Sequence, residues 1–133
     1  MNLNELHQKV INADVSGVST VTPLQHAKKL SEKYKNNVFM KREDMQSVFS
    51  FKCRGAYNKI RQLSSAERKT GIIAASAGNH AQGVALSALQ LNIDATIVMP
   101  QTTPQIKVDS VKRFGATVIL HGDSYDDANN HAQ

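Results

Sequence analysis

Ile72-Ile73-Ala74-Ala75-Ser76-Ala77-Gly78-Asn79-His80-Ala81-Gln82-Gly83 is the stretch on which the fold turns. Its first four residues are a short apolar run of buried-strand type, and small and polar residues then open a helix expected over 79–91. Ala95-Thr96-Ile97-Val98-Met99 reads as a second strand, stopped by Pro100. Thr103 before Pro104 predicts a helix with threonine as N-cap and proline at the first helical position, and Gly115 ends it. Ala116-Thr117-Val118-Ile119-Leu120 is a third strand. Strand, helix, strand, helix, strand implies right-handed crossovers. The fold class is therefore α/β, an open parallel sheet with flanking helices.

Toward the N-terminus the pattern is less regular. Leu3, Leu6 and Val10 recur at helical spacing and predict a short amphipathic helix over 3–13. Thr22-Pro23 introduces a second expected helix over 23–35, with Leu24, Ala27 and Leu30 on its apolar face. Val38-Phe39-Met40 is a strand candidate, and Cys53, Tyr57, Ile60 and Leu63 give a helical face over 50–63. Ser64-Ser65-Ala66-Glu67 has capping-box spacing. A last helix is expected to start at Ser124, and it reaches Gln133 without a cap signal. A complete doubly wound domain would add another strand there, so the chain is expected to be a fragment truncated at its C-terminus.

Composition narrows the class. The chain has 133 residues, 41% hydrophobic and 20% charged, the profile of a globular domain that buries its own core. No apolar run approaches the roughly 20 residues of a membrane span, and the first residues lack a signal-peptide layout. The single cysteine, Cys53, excludes an internal disulfide; a cytoplasmic location is expected. Residues 1–70 carry thirteen Lys/Arg against six Asp/Glu, whereas residues 71–133 carry three against five. Lys28, Lys29, Lys33 and Lys35 lie on a helix-like stretch with interleaved Glu32, and no aromatic residues form a stacking platform there. They read as a solvated face, and neither nucleic acid nor membrane is expected as a partner.

Two runs carry chemistry. Ser50-Phe51-Lys52-Cys53-Arg54-Gly55-Ala56 puts a lysine between an aromatic residue and a cysteine where a helix begins. Lysine can act as a nucleophile, and its typical covalent chemistry is a Schiff base with an aldehyde. Ser76 to Gly83 places small residues and an amide at a strand-to-helix turn, which can point N–H groups at an anion. Each feature has an ordinary alternative. Lys52 alone reads as a surface lysine at a helix start, Asn79 alone as an N-cap, His80 as a first-turn polar residue and Cys53 as a small buried side chain. Gly55 inside a helix calls for close approach by another segment or a ligand. Gly78 and Gly83 are not followed by Lys and Ser/Thr, and no Gly-x-Gly-x-x-Gly occurs. His7, His26, His80, His121 and His131 show no metal spacing, so no metal is expected. Ser76 is not in a hydrolase elbow.

Together the two runs resemble the pyridoxal-phosphate enzymes of the tryptophan synthase β fold, most closely the threonine/serine dehydratases. Thr22-Pro23-Leu24, Lys41-Arg42-Glu43-Asp44, Val98-Met99-Pro100, Ile106-Lys107-Val108 and Leu120-His121-Gly122 extend the likeness over most of the chain. The stretch from Arg42 to Lys52 is closer to the biosynthetic threonine dehydratases than to the catabolic ones. The resemblance implies that Lys52 carries pyridoxal 5'-phosphate, that Phe51 packs on it and that Asn79 bonds its ring hydroxyl. It implies a substrate-carboxylate site formed by Ser76, Ala77, Gly78, Asn79 and His80, largely through backbone N–H groups.

The resemblance further implies that residues 1–45 belong to a larger domain and 46–133 to most of a smaller, substrate-side domain, truncated at its C-terminus. The phosphate-binding glycine loop, the partner of the pyridine nitrogen and any regulatory domain would lie beyond Gln133. The expected activity of the full protein is deamination of L-threonine to 2-oxobutanoate and ammonia, in isoleucine biosynthesis, by a homo-oligomer (a tetramer); the fragment alone is expected to be inactive. Serine racemase or a β-replacement enzyme of the same fold is the nearest alternative, and a non-catalytic anion-binding or subunit-contact module is a second.

Overall fold

The computed structural model describes residues 2–133. Helix α1, Leu3–Ile11, starts at Asn2 with a reciprocal capping box to Glu5. Strand β1, Leu24–His26, pairs antiparallel with β2, Phe39–Lys41, and helix α2, Lys28–Tyr34, lies between them. A 3-10 turn at Glu43–Met45 leads to helix α3, Lys52–Ile60, and then to α4, Ser65–Thr70, capped by the Ser64–Glu67 box.

Strand β3, Ile72–Ala75, helix α5, Asn79–Leu91, strand β4, Ala95–Met99, helix α6, Gln105–Lys112, and strand β5, Thr117–Leu120, come next in regular alternation. The sheet order is β3-β4-β5, all parallel, with Ile72 opposite Ala95 and Thr96 opposite Thr117. Helix α7, Tyr125–Ala132, closes the described chain and packs on β3 and β4.

The sheet's period of two decides what covers it. Ala95, Ile97 and Met99 point to one face and form the core with Ala81, Val84, Ala85 and Ala88 of α5 and Val108 and Val111 of α6. Val98, fully buried between Ile97 and Met99 in sequence, points to the opposite face, where α7 buries Ala128. Helix α3 packs along α5 through Ala56 and Ile60, while Cys53 joins Val18, Val48 and Leu86 in a second small cluster.

The helix expected over 23–35 is corrected. Leu24, Gln25 and His26 are extended because they bond to β2, and helix begins only at Lys28. Leu24, read as part of an apolar helical face, is instead exposed on this two-stranded ribbon. The expected cap at Thr103 is also corrected. Pro104 occupies the cap position with an extended ψ of 137°, and Thr103 donates its N–H to Pro100 O in the preceding turn. Its hydroxyl is buried without a partner. Gly115 stops the chain's helical course as expected, at φ +81° with its N–H on Lys112 O.

Candidate functional site

The approach to Lys52 is built by a tight local turn. Phe49 adopts φ +55°, uncommon for an aromatic residue, and donates its N–H to Gln46 O at 2.8 Å. This bend buries Ser50, whose Oγ accepts from the Lys52 N–H at 3.4 Å. Phe51 is the cap residue and Lys52 the first residue of α3. The Lys52 side chain is exposed; its Nζ lies 5.2 Å from the centroid of the Phe51 ring, a cation–π distance. Among the described residues it has no carboxylate partner.

Lys52 stands on the wall of a groove of about 490 Å³, within the range of small-molecule sites. Phe51, His80, Val84, Ile73 and Ala74 line it too, so the wall is chiefly apolar around one amine and one imidazole. Burial, and then the Lys52 charge, lower the His80 pKa below the ordinary histidine value. Both effects favour the neutral imidazole. Lys59, on the same helix, lines the groove as well.

The 76–80 turn lies at the C-terminal end of β3. Ser76 N–H makes a 3.0 Å bond to Val98 O, and its Oγ accepts from Gly78 N–H at 3.3 Å. Gly78, in extended conformation, is the cap of α5. Asn79 is thus the first helical residue, and its side chain caps nothing, which corrects the N-cap alternative. No described group accepts from the N–H groups of Ala77, Asn79 or His80. Those donors, at the positive end of a 13-residue helix, can receive an anion. The structure brings Phe51, Lys52 and His80 around one groove. Ser76, Ala77, Gly78 and Asn79 form the adjoining turn and do not line it.

Two features of the site had no clear sequence signal. Gly83 meets Lys52 directly: a Cβ there would lie 2.9 Å from the Lys52 carbonyl carbon and oxygen. At Gly55, where a close approach was expected, a Cβ would meet nothing within 4 Å, and the residue opens onto the groove. The second feature is the Glu43 carboxylate, which accepts from Arg54 Nε at 2.7 Å and Nη2 at 3.0 Å and from the Thr22 hydroxyl at 2.8 Å. Arg54 holds the Glu43 pKa down to about 2, against an ordinary 4.5. Buried Gln46 joins the same carboxylate and exchanges two hydrogen bonds with the Thr20 backbone, at 3.0 and 2.9 Å. The network ties residues 20–22 and 43–46 to the first turn of α3.

A fit for pyridoxal phosphate rests on this donor set: an unpaired amine on an apolar wall, with free backbone N–H groups beside it. The family model for "Pyridoxal-phosphate dependent enzyme" matches residues 15–133. The chain is 58% identical over 124 residues to threonine dehydratase 1 biosynthetic, chloroplastic, of Solanum lycopersicum, covering 93% of this chain and 20% of that protein. It is 57% identical over 124 residues to L-threonine dehydratase biosynthetic IlvA of Pasteurella multocida, covering 93% of this chain and 24% of that one. Among solved structures, the processed form of threonine deaminase isoform 2 from Solanum lycopersicum superposes with a TM-score of 0.92 at 50% identity, covering 99% of this chain and 37% of that one. Maize serine racemase gives a TM-score of 0.87 at 28% identity, covering 98% of this chain and 39% of that one. The chain thus spans between a fifth and a quarter of the two curated relatives' length.

Proposed function

The chain belongs to the pyridoxal-phosphate dependent enzyme family, and from that premise we propose that the full-length protein deaminates L-threonine to 2-oxobutanoate and ammonia. The observation that carries this reading is Lys52, an amine without a carboxylate partner among the described residues, on the wall of an apolar groove beside a helix start with free N–H groups. Identity of 57–58% to biosynthetic threonine dehydratases supports threonine over serine as substrate.

In this reading Lys52 Nζ would hold the cofactor, with Phe51 against it and Asn79 supplying a hydrogen bond from the turn. When bound, pyridoxal phosphate supplies an electron-withdrawing ring that takes up negative charge from the substrate Cα. The chain's own contribution is positioning and proton transfer. The N–H groups of Ala77, Asn79 and His80 hold the substrate carboxylate and so aim its Cα–H bond at Lys52. Orientation of this kind is worth several kcal/mol of barrier, on the order of the effective-molarity gains seen for fixed reactants. Once the substrate's amino group has displaced it from the cofactor, the freed Lys52 Nζ would remove the α-proton. A neutral His80 ring adds no second positive charge beside that amine, and Ile73, Ala74 and Val84 give the groove an apolar wall.

The test is cofactor addition to the full-length protein, borohydride trapping and peptide mass mapping, alongside an assay for 2-oxobutanoate formed from threonine. The label is expected on Lys52. A label on Lys59, the other groove lysine, or activity with serine but not threonine, would overturn the reading.

A further inference from the structure

We infer that Gly83 is a positioning residue for Lys52, setting the distance between the lysine's backbone and the 76–80 turn. This rests on the reading of Lys52 as the cofactor lysine. Gly83 is buried where α5 crosses the first turn of α3. A Cβ at this position would stand 2.9 Å from both the carbon and the oxygen of the Lys52 carbonyl and 3.1 Å from Cys53 N. All three are backbone atoms and cannot rotate away. Carbon atoms in good contact sit about 3.5 Å apart or more, so α3 would have to retreat by about half an ångström.

That retreat would be felt at the site because Gly83 is one helical turn from Asn79 and His80. Four residues of helix fix about 6 Å of rise between the contact and the turn's free N–H groups. The same backbone therefore fixes both the turn and the approach of Lys52. Buried Ser87, one turn further along the same helix, donates its hydroxyl to Gly83 O at 2.6 Å. Glycine is unfavourable in a helix interior relative to alanine, and this contact is what alanine would destroy.

The experiment compares Gly83→Ala with wild type and with Val108→Ala in the full-length protein. Val108→Ala truncates a buried α6 side chain and adds no atom near Lys52. With pyridoxal 5'-phosphate added, Gly83→Ala is expected to keep its borohydride label on Lys52. Its visible absorption band should shift, and kcat should fall by about 10- to 100-fold with little change in the KM for threonine, as a sub-ångström misplacement of a reacting group predicts. Val108→Ala should lose melting temperature while keeping the wild-type band and kcat.

A Gly83→Ala protein labelled at Lys52 with unchanged band and kcat overturns the inference, and so does the same spectral change in Val108→Ala. A wild-type label on another lysine overturns the cofactor reading and this inference together, so the two failures are told apart by the protein that shows them. Should Gly83→Ala not fold, Ser87→Ala removes the hydroxyl bond to the Gly83 carbonyl without adding an atom. It should shift the band in the same direction by less, and an unshifted band there overturns the inference.

Discussion

Glu43 and Arg54 form a two-pronged ion pair, Nε to Oε2 at 2.7 Å and Nη2 to Oε1 at 3.0 Å, two residues past Lys52 on α3. With its side chain only 15% exposed, Glu43 is the better buried partner; Arg54 is 34% exposed. The pair is the hinge pin between the N-terminal segment and the helix that carries the lysine. Its geometry is the fork-to-carboxylate match at which arginine is not replaceable by lysine.

The pair predicts an acid-labile contribution to stability. The folded Glu43 pKa is about 2, below its ordinary 4.5, so the folded state favours the ionised form. The contribution is full above about pH 4.5 and is lost as pH falls through the window from 4.5 to about 2. Allowing for solvent screening at the one-third-exposed Arg54, it is worth about 2 kcal/mol near neutrality. Glu43→Gln should therefore lower unfolding stability by about 2 kcal/mol at pH 7 and flatten the acid limb of the stability–pH curve. Urea titrations at several pH values check this; a mutant as acid-sensitive as wild type would contradict it.

Lys52 predicts a separation of chemistry from folding. Its side chain is exposed and makes no ion pair among the described residues, so Lys52→Ala should change stability by no more than about 0.5 kcal/mol. The same change should abolish borohydride labelling and reduce threonine deamination by several orders of magnitude, since the covalent amine and the proton acceptor are lost together. Normal turnover in Lys52→Ala would refute the assignment.

The part of the chain from Ile72 onward was legible because its signals are local. Residues 79–91 carry a continuous helical run, and 95–99 a five-residue apolar strand ended by Pro100. Ser64–Glu67 and Ser124 announced two helix starts through side chains only three residues from their targets. One local reading failed, the cap at Thr103, because Pro104 takes that position itself; the larger failure was non-local. Leu24 shares helical apolar spacing with Ala27 and Leu30, but the pairing of Leu24–His26 with Phe39–Lys41 outweighs that propensity. The two chemical runs were visible as a lysine and an anion turn. Their meeting through Gly83 was not, because a helical glycine does not advertise which backbone will lie against it. Gly55, the glycine beside the lysine in sequence, opens to the groove instead.

Ile97 predicts how much of the fold depends on the central strand. It is fully buried in β4, between α5 and α6, and its neighbours in sequence cover the other face. Ile97→Ala should cost about 3–4 kcal/mol, the transfer of the lost carbons plus the cavity they leave. Ile97→Val should cost about 1 kcal/mol. Chemical denaturation measures both, and equal costs would mean that the site collapses around the smaller side chain.

Asn79 separates a cofactor contact from a helix cap. The cap position belongs to Gly78, and the Asn79 side chain makes no hydrogen bond among the described residues. Replacing an amide that caps a helix costs about 1 kcal/mol, so a capping role would show as lost stability without cofactor. Asn79→Ala is instead expected to leave cofactor-free stability within about 0.5 kcal/mol, because an exposed side chain with no partner has little to lose. With pyridoxal phosphate added, the variant should bind it more weakly or show a displaced absorption band, as loss of one hydrogen bond to the ligand, worth about 1 kcal/mol, requires. Comparative titration of wild type and variant, with and without cofactor, reads the two quantities independently. A stability loss in the cofactor-free protein with unchanged cofactor binding would make Asn79 a structural residue of α5 and leave the turn's backbone N–H groups as its only functional element.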